Sequence, residues 1–177
     1  MVDARGLHGL SCRKSGPRHT RHSQVNDIIW RAVKRAQIPA TKETIGLSRN
    51  DGKRLDGATL IPWKRGKPLA WDVTVPHTYA ASHLAETAES AGAAANKAAA
   101  NKISKYSTFT TTHHFLPISV ETGGPWNPES SEFIAELGKI ISQITFEPLD
   151  TQFLFQRLSI SLQRGNELAL RNTFLAE

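Results

Sequence analysis

The sequence contains a single cysteine, Cys12, which excludes an internal disulfide framework and favours a reducing compartment. It has no apolar run approaching the roughly 20 residues of a membrane-spanning helix, and no signal-peptide-like run follows its first basic residues. We therefore expect an intracellular protein without a membrane partner. Aromatic residues make up only 7% of the chain, but 39% of it is hydrophobic, which is enough for an ordinary folded core.

Charge is distributed unevenly along the 177 residues. Residues 1–72 contain 15 of the 22 lysines and arginines but only 6 of the 16 acidic residues. Residues 73–177 contain the other 7 basic and 10 acidic residues. A basic half of this kind favours a polyanionic partner, of which nucleic acid is the commonest. A basic surface that only aids solubility explains the composition equally well, so charge alone leaves both interpretations open.

Hydrophobic periodicity predicts an α/β fold with the element order α-β-β-β-α-β-α-α and a central mixed sheet flanked by helices. Residues 1–22 show no period and are interpreted as a basic arm, whereas 23–177 are interpreted as one domain. The strands are predicted over 41–47, 54–63, 68–75 and 114–121. The helices are predicted to begin at the N-cap Ser23, to cover 79–107, to begin after the N-cap Asn127, and to run from about 151 to 171 with a weak point at Gly165.

Two aspartates stand out on neighbouring predicted strands. Asp56 and Asp72 are sixteen positions apart across a short hairpin, and antiparallel strands can bring two such side chains together on one face. Two carboxylates there would repel each other and would be costly to bury without a cation. Mg²⁺ is usually held by one or two carboxylates together with water and substrate phosphate. From spacing alone, a divalent-metal site and a pair of surface aspartates both remain open.

Short motifs around these aspartates resemble a known class of nuclease. RLDG at 54–57, a short strand and turn, and WDVTV at 71–75 are similar to the PD-(D/E)xK restriction-endonuclease-like core. More closely, the chain from Gly6 onward resembles the restriction-like endonuclease domain at the C-terminus of non-LTR retrotransposon polyproteins. KISKY at 102–106 matches the helix to which that family's motif lysine has moved, and GGPW at 123–126 matches a downstream turn.

The resemblance implies a metal-dependent endonuclease that nicks target DNA. Asp56 and Asp72 would then bind Mg²⁺ or Mn²⁺, with the carbonyl oxygen of Val73 as a further ligand. The implied fold is the restriction-endonuclease-like core. A catalytically inactive nucleic-acid-binding remnant of the same element is the alternative, and a decayed open reading frame without function is a third reading. Removing Asp72 should abolish cleavage if the chain is an endonuclease. It should leave DNA binding intact whether the chain is an endonuclease or a binding remnant.

The lysine of the resembled motif is displaced in this chain. Thr74 stands where the D-x-K form has its lysine, so Lys102 would supply the positive charge from the helix. Lys105 and Tyr106 are the second choices for a catalytic role. Leu55 replaces the usual proline before the first aspartate, a position that shapes the turn and does not bind metal.

The first residues resemble part of a zinc knuckle that precedes the nuclease in this family. His8 and Cys12 are similar to the second half of its Cys-Cys-His-Cys set, but no cysteine precedes His8. A structural zinc site needs about four ligands. We therefore expect no stable zinc site, and we expect 1–22 to be a knuckle remnant in a fragment of a longer reading frame.

The partner implied by the resemblance is DNA, in the nucleus if the target is genomic, together with a reverse transcriptase module or the RNA of the element. Contacts to the DNA backbone would give largely sequence-independent, salt-dependent affinity. The side chains expected to make them lie in the arm and in a predicted hairpin turn, and they are Lys14, Arg18, His19, Arg21, His22, Lys64, Arg65 and Lys67.

Overall fold

The computed structural model describes residue 10 and residues 16–43 and 54–174. Its helices are α1 (Gly16–Arg35), α2 (Leu84–Glu89), α3 (Ala93–Lys105), α4 (Pro128–Thr145) and α5 (Asp150–Phe174), and a 3₁₀ turn covers Ser107–Thr111. Its strands are β1 (Ala40–Lys42), β2 (Gly57–Lys64), β3 (Lys67–Thr74) and β4 (His114–Ser119). Within these parts of the chain, no helix has both the length and the apolar character that crossing a bilayer requires.

The four strands form one mixed sheet in the order β1-β2-β3-β4. β2 pairs antiparallel with both β1 and β3, whereas β3 and β4 are parallel. A parallel pair needs a long crossover, and here the crossover contains α2 and α3. The predicted α/β class and the mixed sheet flanked by helices are confirmed.

The two faces of β3 point into different environments, as its alternating sequence predicts. Leu69, Trp71 and Val73 are buried in the main core, which they share with α1, α4 and α5. Ala70 lies on the other face, in a smaller cluster that includes Tyr106 at the end of α3. Asp72 lies on this second face by the same alternation, so the carboxylate points away from the main core.

The first helix begins at Gly16, seven residues before the predicted N-cap Ser23, so 16–22 are helical and not part of an extended arm. This polar turn of helix is held by tertiary contacts. The buried guanidinium of Arg21 donates from its NH1 group to Asn166 Oδ1 at 2.8 Å. A Cβ at Gly165 would lie 2.7 Å from Arg21 Cγ, so the glycine lets α1 approach α5. The predicted weak point at Gly165 is wrong, because α5 continues through it.

The alanine-rich segment forms two helices, where the sequence predicted one over 79–107. α2 ends at Glu89, and α3 begins after Gly92, which adopts the left-handed conformation with φ 87°. The observed order is therefore α-β-β-β-α-α-β-α-α, with the 3₁₀ turn before β4. The part of the first predicted strand beyond Glu43 lies outside the described residues.

Gly57 gives a testable prediction about the sheet. A Cβ at this position would lie 2.1 Å from Cζ2 of the Trp71 ring. We expect Gly57→Ala to lower the free energy of unfolding by about 1–3 kcal/mol, because the buried indole must shift to make room. Urea denaturation would measure this, with the exposed Ser104→Ala of α3 as control. Equal midpoints for the two variants would contradict it.

Candidate active site

A cleft of about 400 Å³ opens where α1, the start of β2, the end of β3 and α3 meet. Four of the five residues predicted to be catalytic line it, namely Asp56, Asp72, Lys102 and Tyr106. Val73, the predicted backbone ligand, lines it as well. The structure therefore brings together residues from three separate parts of the chain.

The two aspartates face each other across the β2–β3 pairing. Asp56 lies one residue before β2 and not within the strand, as the sequence had suggested, but its N–H still donates to the Trp71 carbonyl at 3.1 Å. Gly57 pairs with Trp71 and Ala58 with Ala70, so the same antiparallel register places Asp56 opposite Asp72. Both line the one cleft, as the hairpin argument predicts.

Asp72 is buried, with 5% of its surface exposed, and its partners come from α3. The Lys102 ammonium forms an ion pair with Oδ2, and the Tyr106 hydroxyl donates to Oδ1 at 3.4 Å. Lys102 and Tyr106 are four residues apart, so one face of the helix presents both. Burial raises the pKa of Asp72 above its ordinary value, while the Lys102 charge opposes the rise and the Asp56 charge adds to it.

Asp56 is held by β3 and by α1. The Val73 N–H donates to Asp56 Oδ2 at 2.6 Å, and His22 Nε2 lies 3.0 Å from the same oxygen. His22 Nε2 also lies 3.1 Å from the Val73 carbonyl oxygen. Burial lowers the pKa of His22, but the hydrogen bond to Asp56 and the charges of Asp56 and Asp72 outweigh it, so the net direction is upward.

The donor set suits a hard divalent cation. One atom, His22 Nε2, contacts both Asp56 Oδ2 and the Val73 carbonyl oxygen, so these two oxygens face the same part of the cleft. Within the described residues, no group of three or more histidine, cysteine, aspartate and glutamate side chains is arranged to hold a metal ion. An ion here would therefore depend on the two carboxylates, the carbonyl, water and phosphate oxygens, which is the usual environment of Mg²⁺.

Lys105 is not brought to this cleft. It is exposed at the end of α3 and does not line the opening. The helical phase of α3 thus determines which lysine of the KISKY segment lies in the cleft, because it turns Lys102 and Tyr106 inward together.

The basic turn between β2 and β3 also lies away from the cleft. Lys67 is five residues before Asp72 along β3, which is about 17 Å of extended strand. The Lys67 ammonium donates to the Thr110 carbonyl at 2.7 Å, and Lys64 Nζ lies 3.5 Å from Glu136 Oε2. Arg65 is exposed at the tip of the turn. A DNA contact by these three residues stays a prediction, and it would occur at the far end of the hairpin.

The remaining predicted DNA contacts have different positions. His19 is exposed and lines the cleft, and Arg18 lies in the first turn of α1. Arg21 is only 1% exposed, so its guanidinium holds α1 to α5 and the predicted contact to the DNA backbone does not fit its burial. Lys14 lies outside the described residues, as do the zinc-knuckle positions His8 and Cys12.

Sequence reasoning missed the place of His22 in this site. It placed the histidine in an extended basic arm, whereas α1 carries the ring to Asp56 and Val73. No local pattern predicts this contact, because 51 positions separate His22 from Val73 in the chain.

Comparison with known proteins assigns no family to the chain. No protein-family model matches it, and no curated protein gives a significant match. The function therefore has to be argued from the cleft and from the short motifs that line it.

Proposed function

We propose that the chain is a metal-dependent DNA endonuclease domain of the restriction-like type, derived from a non-LTR retrotransposon. The observation that carries the proposal is the convergence of Asp56, Asp72, Lys102 and Tyr106 on one cleft. These four are among the five residues that the motif resemblance implies for the catalytic site, and the fifth, Lys105, does not line the cleft. Two carboxylates facing one opening beside a lysine form an arrangement suited to phosphodiester hydrolysis.

Each side chain has a role that follows from its position. Asp56, Asp72 and the Val73 carbonyl would hold the divalent ion. When bound, such an ion activates water and stabilises negative charge on the phosphate. Lys102 balances the Asp72 charge in the free protein and can pair with a phosphate oxygen of the substrate, because one wall of the cleft presents its ammonium. Tyr106 orients the Asp72 carboxylate through its hydroxyl.

The product of such a reaction is a nicked strand with a free 3′ hydroxyl. In the resembled family, a reverse transcriptase module uses that end as a primer on genomic DNA. The proposal for this chain therefore includes a nuclear site of action and a polymerase or the RNA of the element as further partners.

A nucleic-acid-binding remnant without catalysis is the second candidate, and one observation favours it. Each carboxylate already has protein partners, namely Lys102 on Asp72, and the Val73 N–H with His22 on Asp56. A site whose charges are balanced by its own side chains keeps its fold without an ion. The two candidates share the cleft and differ only in turnover.

Nicking of supercoiled plasmid DNA tests the proposal. We expect conversion to the open circle with Mg²⁺ or Mn²⁺ and none with EDTA. An Asp72→Asn preparation purified in parallel should lose nearly all of this nicking, which controls for contaminating nucleases. Equal nicking by wild type and variant would contradict the proposal. DNA binding by both without nicking by either would overturn the nuclease and support the binding remnant.

A further inference from the structure

A second and larger groove of about 910 Å³ lies between α1 and α5. His19 lines both this groove and the cleft with the two aspartates, so the two openings adjoin at the N-terminal half of α1. Ile28 of α1 and Ile160 of α5 contribute apolar surface to it, and Arg157 and Arg164 are its basic residues from α5. The proposed nuclease chemistry uses none of these four residues.

In the part of the chain that the structure describes, the positive charge in this groove is not balanced. Asp27 is the one acidic side chain among the described lining residues, and it is engaged by two cations, with Lys42 Nζ at 2.6 Å from Oδ1 and Arg31 Nε at 2.7 Å from Oδ2. Arg157 and Arg164 are exposed, and within the described residues neither guanidinium has a hydrogen-bond or ion-pair partner. Two arginines with free donors are therefore available to an anionic ligand.

The spacing of the two arginines suits a nucleic-acid backbone. Seven residues correspond to about 10 Å along a helix, and they return to nearly the same face. Duplex DNA carries one phosphate per strand for about every 3.4 Å of helix axis, so two flexible arginine side chains about 10 Å apart can each reach a phosphate of the same backbone. A groove that presents these two guanidiniums on one helix face, beside the cleft with the two aspartates, matches a polyanionic strand by its charge.

We propose that the groove between α1 and α5 binds the phosphate backbone of duplex DNA on one side of the cleavage cleft, with Arg157 and Arg164 each contacting a phosphate. The inference rests on the proposed function for the identity of the ligand. It differs from the sequence prediction, because it assigns the DNA path to α5 and not to the β2–β3 turn.

Equilibrium binding in EDTA tests the groove separately from cleavage. The probe is a fluorescently labelled duplex of about 20 base pairs, followed by anisotropy over a range of salt concentrations. The logarithm of the association constant falls linearly with the logarithm of the salt concentration, and each phosphate contact makes this slope steeper by about 0.9. The double variant Arg157→Gln/Arg164→Gln should therefore have a slope that is shallower by about 2. We expect its dissociation constant to rise about tenfold or more near physiological salt.

The matched control is Arg171→Gln on the same helix. Arg171 is exposed, pairs with Glu167 at 2.9 Å and does not line the groove, so its loss should leave the affinity and the salt slope unchanged. Because Arg157 and Arg164 are also exposed, the double variant should keep the wild-type thermal midpoint. The inference would be overturned if the double variant bound DNA with the affinity and salt slope of the wild type. It would also be overturned if Arg171→Gln lost as much affinity as the double variant.

A parallel nicking assay separates this inference from the proposed function. If the wild type binds DNA without nicking it and the double variant does not bind, the proposed nuclease activity is overturned and the binding role of the groove is supported. Nicking by wild type with unchanged binding in the double variant overturns the groove and leaves the nuclease standing. A wild-type chain that does not bind duplex DNA overturns both.

Discussion

Replacement of Asp72 by asparagine will slow plasmid nicking by a factor on the order of 10³ and leave the fold nearly as stable as the wild type. The amide keeps the shape of the carboxylate but removes half of the negative charge that the cleft offers a divalent ion. Stability should change little, because burial disfavours the ionised Asp72 and the Lys102 side chain, 26% exposed, can turn its ammonium to water. Nicking rates and urea denaturation would be measured on the same preparations, with Glu132→Gln, at an exposed position of α4 outside the cleft, as a control for losing an acidic charge.

Replacement of Lys102, the partner of Asp72, should lower the stability of the fold as well as the rate of nicking. Lys102→Met leaves the Asp72 carboxylate, with 7% of its side chain exposed, buried without its cation. We expect a loss of about 2–4 kcal/mol in the free energy of unfolding in EDTA. Mg²⁺ or Mn²⁺ should restore part of it, because a ligand that binds only the folded state stabilises that state. Nicking should fall about 100-fold or more with the loss of a charge that faces the phosphate.

Lys105→Met is the control for the stability and nicking measurements on Lys102→Met. Lys105 is exposed and lies outside the cleft, so the variant should match the wild type in both assays. Equal effects of the two lysine substitutions, or no stabilisation of Lys102→Met by either ion, would contradict the assignment of Lys102.

Replacement of Glu121 by alanine should destabilise the whole α3 side of the protein. Glu121 is fully buried in the loop after β4, and its Oε1 accepts from the N–H groups of Ala94 at 3.0 Å and Ala95 at 3.3 Å. α3 begins after Gly92 and has no capping side chain of its own, so this carboxylate satisfies the first turn of the helix. We expect a loss of about 2–4 kcal/mol in the free energy of unfolding.

Two further variants define what Glu121 contributes. Glu121→Gln keeps an acceptor oxygen but loses the charge at the helix terminus, so its stability should lie between wild type and alanine. Glu132→Ala, at an exposed position of α4, should unfold like the wild type. Because α3 carries Lys102, nicking should follow the same order as stability. An alanine variant with the wild-type midpoint would exclude the cap.

The parts of the site that could be predicted from sequence are those encoded within a few residues. The period-two pattern of β3 places Asp72 opposite the core, and a short hairpin brings Asp56 beside it. The N-cap of α4 is equally local, with Asn127 accepting from the Ser130 N–H at 3.2 Å.

The rest depends on contacts between distant segments. The first turns of α1 have no apolar period, and they are fixed by Arg21 and Asn166, which are 145 positions apart. The placement of Lys102 and not Lys105 in the cleft depends on the phase of α3, whose first turn is held by Glu121 from beyond β4. Propensity and periodicity describe neighbours along the chain, so neither contact leaves a pattern in the sequence.

The hydrogen bonds of Asn166, in α5, connect α1 to the loop after β4. Its side chain accepts from Arg21 of α1 and donates to the Thr122 carbonyl at 2.8 Å, one residue beyond the cap of α3. Moving α1 away from α3 would break these two buried hydrogen bonds, which costs free energy because polar groups buried away from water lose a partner. The segments that carry His22 and Lys102 are thus held together by buried hydrogen bonds, so a ligand that enters the cleft would meet an opening that is already shaped.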